Sequence, residues 1–513
     1  MASAANFKVV KIIQDGVELL ASEFQRATVT TQDVVIDPFN ARNYLCAIVT
    51  ATSDVSVKWT HYSVTKANAA SIPFENSGPD VFKTLHQIPV AGLFADDQTN
   101  IELTFQEENG ITTQIFVIVE QPDGNLFTGR KIHIDIEVND SAIASSTIQK
   151  GWLESGLYAD MYDANGDLRQ TGLDYSFDDD YCKRRENYMY TSGPAVGFDS
   201  HFYSHLQKTS IMGYNYGNLI PPEGYLFHHD ITWDDVGHIY TLLSKPEDPT
   251  DSVKREATVV KMVEETSEVV SMFDFSDLCT GALGNLNCAA NDLHFNAINY
   301  IPEIGQVIVN SRSLNSYFGL DPTNLRPVWS VEDTRYPTVL PSSNVLTIKN
   351  PDNYTYPNGE HSVIPCHNKK YVQYWGKGKF VLALFDNASC LDENRIPLLI
   401  PIEQAPNEEA GYLWPSGVQI VAIDLNEFTI EQLDYFQFND DRSYIVSSVF
   451  DSYDREHIEV FFGIPGDFYV IDSNGNIGVT VRGLKFPEEY GSYRARIMRF
   501  EEIRTMINNT PLP

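Results

Sequence analysis

One repeated pattern constrains the fold of this chain more than any other feature. From Gly151 onward, apolar strand-like runs alternate with short turns that are rich in Asp, Asn and Gly. Four-stranded units that repeat in this way build a β-propeller, and about six such blades fit the length. The segments with this pattern include 162–169, 232–240, 300–308, 375–382 and 471–477.

The residues before this repeat predict a different β architecture. Their strand-like runs are separated by polar turns, with no helical pattern between them, which is typical of a β-sandwich. These runs are 28–36, 44–52, 55–62, 100–106, 112–120 and 130–138. A chain of 513 residues is also long enough for two domains. We therefore predict an all-β protein with an N-terminal β-sandwich over 1–145, a short polar linker at 139–146 and a six-bladed β-propeller over 146–513.

A polar cluster is predicted where one hairpin of the repeat begins and ends. Residues 295–300 and 306–311 alternate like strand faces, and 302–305 has turn chemistry. An antiparallel hairpin would return Arg312 to the same end of the sheet as His294 and Asn296. The guanidinium offers a planar fork of donors to tetrahedral oxyanions, so the cluster suits sulfate or phosphate oxygens.

Three histidines recur in phase with the repeat. His229, His294 and His361 are 65 and 67 residues apart. Because the first strand of each propeller blade lines the central channel, equivalent positions of different blades converge there. A single histidine at a strand end more often packs or caps, but three in phase, together with Arg312, favour a common pocket.

Composition limits the partners of the chain. A formal net charge of −34 and a pI near 4.6 argue against nucleic acid. An anionic substrate would therefore need a local basic island of His and Arg. The chain has no run of eighteen apolar residues, so we predict no membrane-spanning helix.

The cysteines show no zinc-site spacing, and no phosphate-cradling Gly-Lys-Ser/Thr loop is present, so we predict neither a metal nor a cofactor. The cysteines are Cys46, Cys182, Cys279, Cys288, Cys366 and Cys390. Cys279 with Cys288, or Cys366 with Cys390, could form a disulfide or remain as thiols.

The motif His-x-Asn, with Arg eighteen residues after the His, resembles the arylsulfate sulfotransferase family. Residues 224–231 resemble the His-Asp segment of that family, and 359–362 followed by 384–387 resemble its nucleophile segment. The N-terminal third is similar through 37–47 and 86–94. The resemblance covers nearly the whole chain and also implies a six-bladed propeller after a β-sandwich.

The resemblance implies a ping-pong transfer of a sulfuryl group from an aryl sulfate to a phenol, with no nucleotide sulfate donor. His361 matches the histidine that becomes N-sulfated. Arg312, His294 and Asn296 would hold the sulfuryl oxygens. His229 would be the general acid and base, and Asp230 would orient it or cap a turn.

Several assignments remain alternatives. His228 competes with His229, since adjacent strand residues face opposite ways, and His367 competes with His361. Candidate substrate-binding residues at the channel mouth are Tyr214, Tyr216, Tyr444 and Ser447. The alternative functions are a non-catalytic binding propeller and an aryl sulfate hydrolase.

The sequence leaves the location and the oligomeric state open. Family members are typically periplasmic or secreted, but the amino end has no secretion-signal pattern, so a cytoplasmic location also stays open. Chains of this architecture can form homodimers, although no sequence feature requires one.

Overall fold

A computed structural model of the chain consists mainly of β-strands. It describes residues 3–39, 41, 43–120, 124–127, 131, 133–155, 160–171, 182–185, 188–194, 202–245, 256–275, 293–332, 344–388, 416–438, 443, 446–484 and 494–512. The N-terminal strands are β1 (Ser3–Ala4), β2 (Phe7–Gln14), β3 (Val17–Leu19), β4 (Val29–Ile36), β5 (Cys46–Lys66), β6 (Phe74–Ser77), β7 (Lys83–Ala91), β8 (Thr99–Glu107) and β9 (Thr112–Val119).

One long strand organises the N-terminal sheet. β5 pairs with β4 and β7 over its first half and with β6 and β8 over its second half. Its register against β7 shifts between Thr52 and Val57. The nine strands are therefore hydrogen-bonded into one continuous antiparallel sheet around a buried apolar core. β5 joins the strands on both of its sides into this single sheet. The predicted sandwich of two separate sheets therefore stays a prediction.

The later strands belong to the repeat. They are β10 (Asp135–Val138), β11 (Gly151–Ser155), β12 (Met161–Tyr162), β13 (Leu168–Gln170), β14 (Cys182–Arg185), β15 (Tyr188–Pro194), β16 (Phe202–Thr209), β17 (Asn215–Leu219), β18 (Leu226–Trp233), β19 (His238–Ser244), β20 (Thr258–Val263), β21 (Val269–Asp274), β22 (Phe295–Ile301), β23 (Gln306–Ser311), β24 (Ser316–Leu320), β25 (Pro327–Val331), β26 (Thr347–Ile348), β27 (Ser362–Pro365), β28 (Lys379–Asp386), β29 (Gly417–Asp424), β30 (Thr429–Gln437), β31 (Ser448–Asp451), β32 (His457–Phe462), β33 (Asp467–Asp472), β34 (Ile477–Arg482) and β35 (Ala495–Arg499).

These strands form a propeller-like arrangement with four sheets of blade size. Their strand orders are β10-β34-β33-β32-β31, β13-β12-β11-β35, β22-β23-β24-β25 and β26-β30-β29-β28-β27. In the described residues the remaining strands make one eight-stranded sheet, β14 to β21. The prediction of six separate sheets therefore differs from the observed pairing. The reason is that Phe202 and Tyr203 of β16 pair with His228 and Phe227 of β18, which joins two four-stranded groups.

Strand pairs distant in sequence bring the two ends of the repeat together. β10 pairs with β34, and β11 pairs with β35, both antiparallel. Such pairing between the start and the end of the repeat is how a ring of blades is closed. The strand predicted over 130–138 as part of the sandwich therefore joins the propeller-like sheets instead.

Buried apolar clusters hold consecutive sheets face to face. Leu242 of β19 and Val309 of β23 share one cluster. Trp329 of β25 and Phe380 of β28 share the next. Burial of large side chains between sheets is the main favourable term for this packing.

Two α-helices are described, α1 (Ser141–Ser146) and α2 (Phe500–Asn509). α1 lies in the segment predicted to be a linker. It forms because the Asp140 side chain accepts hydrogen bonds from the amides of Ala142 and Ile143, which satisfies two N-terminal donors. None of the helices in the described ranges is long and apolar enough to cross a membrane.

Candidate active site

The structure brings the three in-phase histidines together. The ring centroids of His229 and His294 are 4.7 Å apart, and those of His294 and His361 are 6.4 Å apart. All three side chains are buried. His229 lies in β18, whereas His294 and His361 are the residues just before β22 and β27. The structure thus brings the three imidazoles into one cluster, while the chemical role of each residue remains a prediction.

The predicted hairpin of 295–300 and 306–311 is confirmed, and it explains how Arg312 reaches this cluster. β22 and β23 pair from Ile301 with Gln306 back to Phe295 with Ser311. The amide of Arg312 then donates a hydrogen bond to the carbonyl of His294 at 3.1 Å. The guanidinium-bearing residue and the imidazole-bearing residue therefore share one end of the sheet.

Two of the histidines have an unusual backbone conformation. His229 and His294 have φ values of 55° and 45°, in the left-handed region that most side chains avoid. The β18–β19 register shifts between His228 and Ile231, as expected at a β-bulge. Strain of this kind is maintained only where the surrounding structure over-determines it, which is common at functional sites.

The same bulge changes the expected choice between His228 and His229. Alternation along a regular strand would place one of them in the pocket and the other on the opposite face. Instead, both are buried, and their Nδ1 atoms lie 2.8 Å apart. The left-handed backbone at His229 breaks the alternation, so both imidazoles belong to the cluster.

The surroundings of His361 determine which of its nitrogens is basic. Its Nδ1 lies 2.7 Å from the carbonyl of Gly359 and 2.8 Å from Oδ1 of Asn387. The Asn387 amide is oriented by its Nδ2, which donates to the carbonyls of Ser443 and Val446. Both neighbours of Nδ1 are therefore acceptors, so Nδ1 carries the hydrogen and Nε2 carries the lone pair.

The charge state of His361 follows from its position. Burial lowers the pKa of His361 well below its usual value, and the positive charges of Arg312 and His294 lower it further. The ring is therefore neutral near pH 7. A neutral imidazole with its lone pair on Nε2 is a competent nucleophile.

A network of amides and a carboxylate holds the segment before His361. Asn315 donates to Oδ1 of Asn358 at 2.8 Å and accepts from the amide of Gly359 at 2.9 Å. Asp386 accepts from the amides of Asn358 and Ala388. These bonds tie the hairpin that carries Arg312 to the segment that carries His361.

Asn296 reaches the same segment. Its Nδ2 donates to the carbonyl of Glu360 at 3.0 Å, and Asn310 donates to that carbonyl at 2.9 Å. One of the two amide hydrogens of Asn296 is therefore already used by the protein. The second hydrogen is chemically able to donate to a substrate oxygen.

Glu256 contacts the opposite side of the cluster. Its carboxylate Oε2 lies 2.5 Å from Nδ1 of His294, and its carbonyl accepts from the amide of Phe295 at 3.2 Å. Glu256, His228 and His229 also offer ligand atoms within 4.8 Å of one another. A metal ion is chemically compatible with those three residues, so the prediction of a metal-free site stays a prediction.

Asp230 binds cations and backbone amides. Nζ of Lys183 and a terminal guanidinium nitrogen of Arg494 each lie 2.9 Å from its carboxylate, and the amide of Ile298 donates to it. Burial alone would raise the pKa of Asp230, but the charges of Arg494 and Lys183 lower it below the usual value. Arg494 also donates to the carbonyl of His229.

Two of the predicted substrate-binding residues, Tyr214 and Tyr216, have partners outside the histidine cluster. Tyr214 packs edge-on against Phe39 and Tyr216. The hydroxyl of Tyr216 donates to the carbonyl of Asn509, next to the end of α2. Tyr216 lies in β17, which pairs with β16, and its side chain lines a separate pocket of about 540 Å³.

Ser447 lies beside the support of His361, but its hydroxyl is engaged by the protein. It donates to Oγ of Ser443 and accepts from the amide of Gly463. His367 stacks on Trp375 with ring centroids 4.2 Å apart, so His361 rather than His367 meets the other histidines. Tyr444 is outside the described residues.

The thiols described are buried and unbridged. Cys46 and Cys366 are free cysteines. Cys366 therefore makes no disulfide here, although a bond to Cys390 was one alternative. Cys279, Cys288 and Cys390 lie outside the described residues, as does the side chain of Cys182.

The comparisons with known proteins agree with this geometry. A family model for arylsulfotransferases (ASST) matches residues 151–486, which is more than half of the chain. The chain belongs to the arylsulfotransferase family. Membership supports an aryl sulfotransferase activity in general, and small aryl sulfates and phenols are substrates that fit the family. The comparison with curated proteins returns no match.

Solved structures similar to this chain have low identity. A periplasmic gluconolactonase, PpgL, from Pseudomonas aeruginosa is 8% identical, covering 86% of this chain and 100% of its own, with a TM-score of 0.30. An auxiliary nutrient binding protein from Bacteroides thetaiotaomicron is 10% identical, covering 88% and 86%, with a TM-score of 0.31. Apo AztD from Citrobacter koseri is 8% identical, covering 96% and 97%, with a TM-score of 0.27. At these scores the likenesses carry no argument.

Three residues near the cluster have no role predicted from the sequence. Asn387 was part of a segment that resembles the family, but its bond to the imidazole was not predicted. Glu256 and Arg494 belong to no repeated or local pattern, and their contacts arise only in three dimensions. A sequence signal for such long-range partners is not expected.

Proposed function

We propose that this arylsulfotransferase moves a sulfuryl group from an aryl sulfate ester to a phenol through an N-sulfated His361, without a nucleotide sulfate donor. The observation that carries the proposal is the contact of the His361 Nδ1–H with Gly359 and Asn387. It leaves the lone pair on Nε2, in a ring kept neutral beside two positive charges.

In the first half-reaction, Nε2 of His361 attacks sulfur as the bond between sulfur and the aryl oxygen breaks. The electron pair of that bond leaves with the aryl oxygen, which takes a proton from His229 and departs as a phenol. The nitrogen–sulfur bond stores the group on the enzyme. A loose transition state, by analogy with phosphoryl transfer, requires good alignment more than strong bonding.

In the second half-reaction, a phenol takes the place of the first. His229, now lacking its proton, accepts the hydroxyl proton of the acceptor. The acceptor oxygen attacks sulfur, and the nitrogen–sulfur bond breaks, which returns the lone pair to Nε2. Both enzyme residues then have their original protonation, so the cycle is balanced.

Arg312, His294 and Asn296 would hold the three sulfuryl oxygens. Arg312 and His294 are linked through the main chain, and Asn296 bonds the residue before His361. A chain with a net charge of −34 repels anions at long range, so these local donors carry the attraction. Their placement beside the nucleophile supports binding and transition-state stabilisation by the same groups.

We also infer that the eight-stranded sheet counts as two blades, which would give six in all. Buried Tyr190 and Leu206 of β15 and β16 cluster with Ile239 and Leu243 of β19. Packing between the two halves supports this division. An electron-density map with the eight strands in one flat sheet would overturn it.

We further propose a periplasmic or exported location, which family membership supports. Fractionation of cells that produce the protein tests this proposal. Recovery only in the cytoplasmic fraction would contradict it.

Incubation with a chromogenic aryl sulfate, with and without a phenol, tests the reaction. We expect sustained phenol release and a new aryl sulfate only when the acceptor is present. Release of inorganic sulfate without an acceptor would indicate a hydrolase. No release under either condition would indicate a binding module and would contradict the proposal.

A further inference from the structure

We infer that Arg494 is a positioning residue that holds the bulged segment of His229 and Asp230, so that the His229 imidazole faces the leaving aryl oxygen. The inference rests on the proposed transfer reaction, in which His229 is the general acid. It extends that proposal to a residue near the end of the chain, which lies after the matched residues 151–486.

The closure of the repeat brings Arg494 to the histidine cluster. Arg494 is the residue just before β35, and β35 pairs antiparallel with β11, near the start of the repeat. Its guanidinium reaches Asp230 and the carbonyl of His229, both in β18. The pairing of distant strands therefore places a cation from the end of the chain against the strand that carries the general acid.

The bulge in β18 creates the need for such a contact. The β18–β19 register shifts between His228 and Ile231, which takes the residues between them out of the regular ladder. Buried carbonyls outside a ladder are bonded by other donors. A terminal nitrogen of Arg494 donates to the carbonyl of His229 at 3.4 Å, and the hydroxyl of Thr241 donates to the carbonyl of Asp230 at 2.9 Å.

The guanidinium binds two consecutive residues at once. Its other terminal nitrogen donates to the carboxylate of Asp230 at 2.9 Å. A planar fork of donors fixes the orientation of both residues, and burial of Asp230 and Arg494 protects the charged bond from solvent screening. This contact helps to maintain the left-handed backbone of His229, with φ of 55°, which most side chains avoid.

Other bonds join the same segment to the hairpin that carries Arg312. The amide of Ile298 in β22 donates to the carboxylate of Asp230 at 2.9 Å. Nζ of Lys183 lies 2.9 Å from that carboxylate and donates to the carbonyl of Ile298 at 3.3 Å. Because Lys183 still balances the charge of Asp230 when Arg494 is replaced, we expect an Arg494 variant to fold.

Arg494→Gln tests the inference with two donors, phenyl sulfate and 4-nitrophenyl sulfate, and one phenol acceptor. In a ping-pong scheme, kcat/KM for the donor reports only the first half-reaction. Phenolate is a poor leaving group that needs the proton of a general acid, whereas nitrophenolate leaves without one. We expect kcat/KM to fall by roughly 100-fold for phenyl sulfate and by no more than roughly threefold for 4-nitrophenyl sulfate.

Arg496→Gln is the matched control. Arg496 lies two residues further along the chain, and its guanidinium is 3.6 Å from the buried carboxylate of Glu154. We expect kcat/KM for both donors to stay within roughly twofold of the unaltered protein. An equal loss for the two donors in Arg494→Gln, or no loss for either, would overturn the inference, because a misplaced general acid must affect the poor leaving group more.

Arg494→Lys keeps the test valid if Arg494→Gln does not fold. Its ammonium retains the charge beside Asp230 but lacks the planar fork that also reaches the carbonyl of His229. We expect a smaller loss than in Arg494→Gln, again larger for phenyl sulfate than for 4-nitrophenyl sulfate. Circular dichroism checks the fold of each variant. Equal kinetics of folded Arg494→Lys and the unaltered protein with phenyl sulfate would overturn positioning by the fork.

A double variant shows whether Arg494 acts through His229. If it does, adding Arg494→Gln to His229→Gln should lower kcat/KM for phenyl sulfate by no more than roughly threefold, since the group that Arg494 positions is already gone. Losses that multiply would overturn the inference while leaving the transfer reaction intact. Absence of transfer in the unaltered protein would instead overturn the proposed function.

Discussion

The segment that carries His361 and the segment that carries His294 each place an imidazole in the same cluster, but the two rings face different chemistry. Nδ1 of His361 meets uncharged oxygens of Gly359 and Asn387. Nδ1 of His294 meets the carboxylate of Glu256. Both rings are buried, so burial alone does not distinguish them.

This difference shows how one side-chain type can meet opposite electrostatic surroundings in one cluster. A neutral acceptor fixes the tautomer without stabilising a cation, which suits a nucleophile. A carboxylate beside the same nitrogen favours the cation, which would suit an oxygen clamp. Environments that separate the protonation states of neighbouring groups are a general sign of assigned acid, base and nucleophile roles.

Removing the neutral ring should have the largest effect. In His361→Gln we expect transfer to fall by roughly 10⁴-fold or more, because the covalent route is lost. Rates of phenol release from an aryl sulfate measure this. Circular dichroism should match that of the unaltered protein, and near-normal turnover in the folded variant would contradict the assignment of His361.

Removing the guanidinium of Arg312 should have the next largest effect on transfer. In Arg312→Ala we expect a loss on the order of 10²- to 10³-fold in kcat/KM, because a donor to the sulfuryl oxygens is gone. The measurement is donor kinetics at fixed acceptor concentration. Arg326→Ala is the matched control, since Arg326 is exposed and packs over Phe273. Equal rates for the two variants would argue against a clamp at Arg312.

The substitution Asn387→Asp would place a carboxylate beside Nδ1 of His361, as Glu256 lies beside Nδ1 of His294. In Asn387→Asp we expect the pKa of His361 to rise from its lowered value, because a negative charge favours the imidazolium. A protonated nucleophile is inactive, so the rate should now fall as the pH decreases through the raised pKa. At pH 7 we expect about a 10-fold loss, and at higher pH a smaller one.

The pH profile of kcat/KM for the donor checks this prediction. The unaltered protein should show no loss from His361 protonation near neutral pH, since the pKa of His361 lies well below the usual value. Asn387→Ala is the control, because it also loses the hydrogen bonds to the carbonyls of Ser443 and Val446 but adds no charge. If Asn387→Asp and Asn387→Ala have the same pH profile, the partner of Nδ1 does not set the charge of His361.

Rings outside the cluster should matter least. For Tyr216→Phe and His367→Gln we expect transfer rates within roughly twofold of the unaltered protein, because these side chains contact Asn509 and Trp375 rather than the three histidines. Kinetics under donor saturation and donor limitation measure both effects. A tenfold increase in KM for Tyr216→Phe would restore it as a substrate-binding residue.

Much of the fold and the position of the candidate site followed from the sequence. Period-two alternation and turn residues predict the hairpin of β22 and β23 because both are local properties. The spacing of His229, His294 and His361 reflects repeated blades, so their convergence could also be predicted from the sequence. The family resemblance supplied the proposed chemistry.

The remaining features depend on non-local structure. The bulge after His228 interrupts the alternation of side chains between the two faces of β18. No residue pattern in that segment predicts the bulge. The eight-stranded sheet depends on two residue pairs between β16 and β18, which local patterns do not encode. Similarly, Glu256 reaches His294 across 38 residues of sequence, beyond the range of periodicity.

The most direct test of the central claim is mass spectrometry of the covalent intermediate. The protein is mixed with an aryl sulfate in the absence of a phenol, quenched quickly and measured intact, then digested to locate the added group. We expect one sulfuryl group, located on His361, which disappears when a phenol is added and never forms in His361→Gln. An adduct that persists in His361→Gln, or that maps to another residue, would contradict the account.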